Sequence, residues 1–126
     1  MYKKPITYTD YNGNEKTEDF YFNLNKAELM EWEYSEVGGL KAKIERIVAT
    51  ESVPEIAKLF KEIIVKAYGV KSPDGKRFIK NDEVRDEFIQ SEAYSELYME
   101  LASSTEAATE FINSVIPKLP QNAENK

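Results

Sequence analysis

The first 24 residues alternate between apolar and polar side chains, which is the period of a β-strand. Two such runs, residues 6–11 and 17–24, are separated by a turn-forming Asn-Gly pair. The apolar residues that share one side of the two runs are Ile6, Tyr8, Phe20, Phe22 and Leu24. The pattern therefore predicts an N-terminal β-hairpin with one apolar face.

The loop of this hairpin is fixed by where the apolar residues must pair. A two-residue turn at the Asn-Gly pair would place Ile6 opposite Asp19 and would split the apolar set across two faces. A three-residue loop over residues 12–14 places Ile6 opposite Phe20 and keeps that set together. We predict the three-residue loop and this register.

After residue 24 the apolar spacing changes to three and four residues, which is typical of amphipathic helices. Asn25 is a predicted N-cap, with Glu28 at the capping-box position. The clearest apolar stripe lies in "SVPEIAKLFKEIIVKAYG", which predicts a core helix closed by Gly69. Helices are predicted over about 26–36 and 40–49, and from the turn that contains Pro54 to Gly69. Asn81 is predicted to cap a helix that ends near residue 90, after a brief extended segment at 77–80. A fifth helix is predicted to carry Tyr94, Leu97, Tyr98 and Leu101, and a sixth to run from about Thr105 until Pro117.

These elements predict an α+β fold that is mainly α: an N-terminal β-hairpin, residues 5–24, followed by a compact bundle of five to six short helices, residues 26–116. A chain of 126 residues is long enough for one core. We expect a single domain over residues 1–117. Residues 118–126 lack periodicity, so we expect a flexible C-terminal tail there.

Composition narrows the class of protein. No apolar run approaches the roughly 20 residues that a bilayer-spanning helix needs, so we expect no membrane partner. The net charge of −6 would repel a phosphate backbone, and we expect no nucleic-acid partner. We find no secretory signal, and the chain has no Cys, so we expect the reducing cytoplasm of a cell.

Lysine and arginine are concentrated between residues 58 and 80, directly before the acidic residues 82–87. One interpretation is a solvated helix face followed by an acidic first turn that complements the dipole of the next helix. The other is a basic patch for an acidic protein partner.

The chain offers little catalytic chemistry. It has neither His nor Cys, which removes the usual zinc ligands, nucleophile pairs and imidazole acid/base groups. The spacing Asp10-x-Asn12-x-Asn14 matches the start of a calcium-binding EF-hand loop, but Glu15 stands where that loop needs glycine, and Tyr21 where it needs a bidentate carboxylate. We expect no catalytic residue, no metal and no cofactor.

Several large side chains have no assigned place in the core. Tyrosines on the second face of a small sheet suit a docking surface, because they combine large contact area with a polar tip. The alternative is that a helix covers that face. The predicted protein-binding residues, all open to both interpretations, are Tyr11, Tyr21, Trp32, Tyr34 and Met99.

Seven segments of the chain, taken in their order along the sequence, resemble the tail assembly chaperones of long-tailed bacteriophages that infect Gram-positive bacteria. The resemblance covers nearly the whole chain. Its segments are "ITYTDYNGNEKTEDFYFNLNKAEL" from residue 6, "GGL" from 38, "IERIVA" from 44, "FKEIIVKAYG" from 60, "SPDGKRF" from 72, "EAYSELYMELA" from 92 and "AATEFINSVIP" from 107.

The resemblance implies a non-catalytic protein of the host cytoplasm that binds the tape-measure protein and the major tail protein, which forms the tail tube, and that is absent from the mature virion. It also implies a longer, frameshifted form of the same chain as a partner; a homo-oligomer stays open. The alternatives are a structural tail or neck component retained in the virion, and a small enzyme that uses carboxylates or tyrosine.

Overall fold

The computed structural model describes residues 1–116 of the chain. Four strands and six helices follow one another in the described part. They are β1 (Tyr2–Thr9), β2 (Glu15–Phe22), α1 (Lys26–Ser35), α2 (Leu40–Thr50), α3 (Val53–Ala67), β3 (Tyr68–Lys71), β4 (Phe78–Ile79), α4 (Asp82–Ile89), α5 (Glu92–Ser103) and α6 (Thr105–Val115). The predicted fold class, α+β and mainly α with an N-terminal hairpin, is confirmed. The predicted tail, residues 118–126, lies outside the described residues.

The predicted hairpin register is wrong by two residues. Ile6 pairs with Glu18 rather than with Phe20, and the three-residue loop spans residues 11–13. Gly13 takes the left-handed position at the end of this loop, with φ of 86°, as glycine does in a type I turn with a bulge. A shift of two preserves the side-chain alternation, so the predicted apolar face is still intact.

The Asp10 carboxylate holds this loop in place. Its Oδ1 accepts hydrogen bonds from the backbone N–H groups of Asn12 and Asn14, both at 2.9 Å. The hydrogen bond from Asn14 and the others at this carboxylate lower the pKa of Asp10. The residues that suggested a calcium loop therefore form an Asx-type turn around their own backbone.

A second short hairpin, absent from the sequence prediction as a paired element, completes the sheet. The strand order is β1-β2-β3-β4, with every pair antiparallel. Gly69 was predicted to end α3 but lies in β3, opposite Tyr21. A Cβ atom at Gly69 would lie 2.7 Å from the Phe78 ring, so close packing against β4 explains the glycine.

The helices begin at capping residues that are recognisable in the sequence. Asn25 accepts a hydrogen bond from Glu28 N, and the Glu28 carboxylate accepts one from Asn25 N, which confirms the predicted capping box. Asn81 caps α4 as predicted. The remaining side-chain caps are Ser52, Ser91 and Ser104, each before its own helix.

The core lies between the apolar face of the β1–β2 hairpin and the helices. Phe22, at its centre, is fully buried and has its ring centroid 5.3 Å from that of Phe111 in α6 and 5.9 Å from that of Phe88 in α4. The opposite face of the hairpin is exposed along most of both strands, so among the described residues no helix covers it. Its exposed residues, such as Lys3, Thr7 and Asp19, are mostly polar.

Candidate functional site: an apolar groove

An apolar groove lies between α3 and α6 on the surface of the described chain. One wall is the N-terminal half of α3, with Val53, Ile56, Ala57 and Phe60 facing the groove. These positions repeat at three and four residues and so lie on one helical face over two turns. The C-terminal half of α3, including Ile63 and Ile64, is instead buried in the core.

The other wall is the N-terminal half of α6, whose groove-facing residues are Thr105, Ala108, Thr109 and Ile112. Their spacing matches that of the α3 wall. The end of α5, with Leu101 and Ala102, lines the groove together with Leu59 of α3 and Val48 of α2. Two helical walls of equal length therefore flank a shallow apolar channel.

This groove, with a volume of about 380 Å³, is chemically apolar. None of the described residues that line it is charged, and its polar side chains are the hydroxyls of Ser103, Thr105 and Thr109. The Ser103 hydroxyl already donates to the Met99 carbonyl at 2.7 Å. Val53 is 76% exposed, so apolar surface is presented to solvent here. An exposed apolar groove is a candidate site for contact with another molecule.

Opposite charges border the two walls. Lys61 follows Ala57 by four residues on α3, and Glu106 precedes Thr109 by three residues on α6, so by helical spacing each lies beside its wall. Both side chains are exposed, and neither lines the groove. We call these two positions the α3 rim and the α6 rim.

Tyr11 and Tyr21 lie away from the groove. Tyr11 is the first residue of the hairpin loop, rather than a strand residue, and its exposed hydroxyl donates to the Gln90 carbonyl at 3.3 Å. Tyr21 is half-buried on the outer face of β2, where Lys71 Nζ lies 4.6 Å from its ring centroid. The two rings do not form a common surface with the groove.

The other three predicted binding residues differ in exposure. Tyr34 is 78% exposed and Met99 is also exposed, so both can meet a partner. Trp32 is 4% exposed; its indole N–H donates to Glu36 at 3.0 Å, and Lys66 Nζ lies 5.0 Å from its ring centroid. Trp32 therefore serves the core and presents almost no surface to a partner.

The groove residues were not singled out by the sequence, because the α3 stripe was interpreted as core along its whole length. The available signal was the width of that stripe. Val53 and Ala57 broaden the apolar face of α3 at its N-terminal half, beyond what burial against one neighbour requires. Thr105 and Thr109 gave no comparable signal, since threonines at helical spacing are ordinary surface residues.

The titratable groups with shifted pKa values have structural partners outside the groove. A hydrogen bond to Glu18, at 2.6 Å, raises the pKa of the Tyr8 hydroxyl to about 12. Burial lowers the pKa of the Lys80 ammonium, and its hydrogen bonds to Glu28 counteract that only in part. Within residues 1–116 no group of three carboxylates is placed to hold a metal ion, and no helix is long and apolar enough to cross a membrane.

We expect the double replacement Tyr11→Ser with Tyr21→Ser to leave the fold nearly intact. Tyr11 contributes one exposed hydrogen bond and Tyr21 one cation–π contact, so the free energy of unfolding should fall by less than about 1.5 kcal/mol. Urea denaturation measures this change. A much larger loss would show that the two rings are core residues.

A family model described as phage tail assembly chaperone matches residues 1–126, the whole chain. Neither the curated proteins nor the solved structures contain a significant match.

Proposed function

Because this chain belongs to the phage tail assembly chaperone family, we propose that it binds apolar surfaces of tail proteins while the tail is being built. We propose further that its clients are the tape-measure protein and the major tail protein of a long-tailed phage of Gram-positive bacteria. The observation that carries this proposal is the α3–α6 groove, which is open, apolar and uncharged. Such a surface can cover an apolar stripe that would otherwise associate with another copy of the client.

The proposed mechanism is reversible masking, with no covalent step. Burial of apolar surface favours association by roughly 25 cal/mol for each Å² removed from water, and part of this is lost to the ordering of both partners. One small groove therefore gives modest affinity. A long client with repeated stripes would gather many copies, and a longer frameshifted form that tethers a groove beside another binding site would gain from effective concentration.

The location and fate of the protein follow from this role. Masking must happen where the tail proteins are synthesised, so we propose that the chain acts in the cytoplasm of the bacterial host. It must also leave before the tail tube closes around its client. We therefore propose that it is absent from the mature virion, as a chaperone is, rather than retained as a structural tail or neck component.

Co-expression with the tape-measure protein of the same phage tests the proposal. We expect the client to stay in the soluble fraction with the chaperone and to aggregate without it. The fraction of soluble client, measured after centrifugation, is the readout, and an unrelated acidic domain of similar size is the control. Equal solubility with and without this chain would contradict the proposed function.

Mass spectrometry of purified virions tests the second part. A chaperone should be missing from the particle, at a level far below that of any tail protein. Detection in amounts comparable to a tail component would instead support the structural alternative.

A further inference from the structure

We propose that the α3–α6 groove receives a two-turn apolar stripe of an amphipathic α-helix in the client, with acidic residues on the flank that meets α3 and basic residues on the flank that meets α6. This inference rests on the proposed function for the existence of a protein client. The form of the client segment, its position on this chain and its charge pattern come from the groove itself.

The dimensions of the groove favour a helix. On each wall the first and last lining residues are seven positions apart, Val53 and Phe60 on α3 and Thr105 and Ile112 on α6, which is about 10 Å of helix. A third helix with apolar residues at three- and four-residue spacing presents a stripe of the same length. Ala57 and Ala108 are small, which lets a helix backbone approach both walls closely.

Hydrogen bonding favours a helix over an extended segment. An extended peptide would place a row of backbone N–H and C=O groups against aliphatic side chains, and each unpaired group would cost free energy. The groove offers an extended peptide few hydrogen-bonding partners, because most backbone groups of its two helical walls are bonded within the helices or to the Ser52 and Ser104 caps. An incoming helix satisfies its backbone internally and needs only apolar contact.

A second copy of this chain is a poor occupant. Apart from Val48 and Val53 at the groove itself, the exposed large apolar side chains of the described residues are scattered: Met1, Tyr11, Tyr34, Val37, Val70 and Met99. At the groove itself, two copies could meet only groove against groove, and two concave surfaces do not fill each other. Each copy also carries a net charge of −6, which opposes self-association.

The rim charges select the flanks of the incoming helix. Lys61 along the α3 rim favours glutamate or aspartate, and Glu106 along the α6 rim favours lysine or arginine. Because turning a helix end for end exchanges its two flanks, these charges also select the direction in which the helix lies. Exposed charges of this kind act mainly on orientation and association rate, and salt weakens them.

A synthetic helical peptide tests the inference. The probe is a helix of about 20 residues, with leucines along one stripe, glutamates along one flank and lysines along the other. A peptide of identical composition with dispersed leucines is its control. Fluorescence anisotropy should show binding of the stripe peptide to the full chain and no binding of the control. Equal binding of both peptides, or of neither, would overturn the inference.

Matched variants locate the binding. Thr109→Glu places a charge in the groove, where desolvation should weaken peptide binding by about tenfold or more. Ser114→Glu adds the same charge to an exposed position on the opposite side of α6 and should leave affinity within about twofold. Ala102→Glu on the groove and Ser95→Glu away from it form a second pair on α5. Equal effects within both pairs would place the peptide elsewhere.

Charge reversal tests the flanks. Lys61→Glu should weaken binding of the stripe peptide several-fold at low salt, and a peptide with lysines on both flanks should recover that loss. Lys76→Glu, in the loop between β3 and β4, is the control for net charge. An unchanged affinity for Lys61→Glu at low salt would overturn the assigned flanks.

The same variants distinguish the proposed chaperone function from the proposed binding of a client helix in the groove. If the wild-type chain and Thr109→Glu keep the co-expressed tape-measure protein equally soluble, the proposed function stands and the groove is not the client site. If the stripe peptide binds but no client is kept soluble, the groove inference stands and the chaperone role fails. A dimer that Thr109→Glu dissociates, with no peptide binding, would make the groove a self-interface and overturn the inference.

Discussion

Replacing Phe88 with alanine should lower the free energy of unfolding by about 3–5 kcal/mol, the usual cost of removing a buried phenylalanine ring. Phe88 is the one α4 residue that is fully inserted among the rings of the core. Its ring stacks on Tyr68 of β3 at 4.2 Å between centroids and lies 5.4 Å from Phe20 of β2 and 5.7 Å from Tyr94 of α5. Truncation would open a cavity at the junction of sheet and helices.

Denaturant unfolding of Phe88→Ala and Phe88→Leu measures the effect. Leucine fills much of the volume but loses the aromatic contacts, so it should cost roughly 1.5 kcal/mol or less. A domain of this size has about 5–15 kcal/mol of stability, so the alanine variant should lose a large share of it. Cavity formation should lower the free energy of unfolding of the alanine variant by roughly 3–5 kcal/mol. A fall of less than about 1 kcal/mol would mean that the ring cluster repacks without the Phe88 side chain.

Replacing Lys80 with methionine should lower the free energy of unfolding by roughly 1–3 kcal/mol, because it removes the ammonium group that donates hydrogen bonds to two backbone carbonyls. Lys80 Nζ donates to Asn23 O at 2.7 Å and to Lys66 O at 2.8 Å, and it pairs with the Glu28 carboxylate at 2.9 Å. Its side chain is 7% exposed. The ammonium therefore joins the end of α3 to the link between β2 and α1.

The buried charge of Lys80 carries a desolvation cost. Burial lowers the pKa of its ammonium more than Glu28 raises it, so the folded state binds this proton less tightly than the unfolded chain does. Methionine matches the length of the side chain, and it removes this cost together with the donated hydrogen bonds and the Glu28 ion pair, so the measured change is their sum. Lys76→Met, in the exposed loop before β4, is the matched control and should change stability by about 0.5 kcal/mol or less. Equal stability of the two variants would show that water replaces the lost donor.

Both predictions concern contacts at the C-terminal end of α3, the end opposite to the groove. The C-terminal half of α3 is fixed by core packing at Ile63 and Ile64 and by the Lys80 bonds at its end. Its N-terminal half is then left as an exposed wall. One helix thus serves folding at one end and, in our proposal, client binding at the other.

The sequence by itself determined the type and order of most elements. Side chains act locally at helix starts: Asn25 with Glu28 and Asn81 each cap the helix that follows them, as predicted. The alternation of apolar residues likewise determined which face of the first hairpin is buried, since a period of two leaves only two choices. These properties depend on neighbours within a few residues.

The tertiary structure decided what depends on distant neighbours. The register of the first hairpin is an exception: it differs from the prediction by two residues because a local interaction, the Asp10 carboxylate with the loop that ends at Gly13, forms the turn. Gly69 entered a strand rather than ending a helix because β2 offered it a partner. Trp32 is buried and Val53 exposed although both belong to apolar helix faces. A helical stripe specifies that a face is apolar, but only the packing of α5 between α3 and α6 determines how much of it is covered, and that is why the groove emerges from the fold alone.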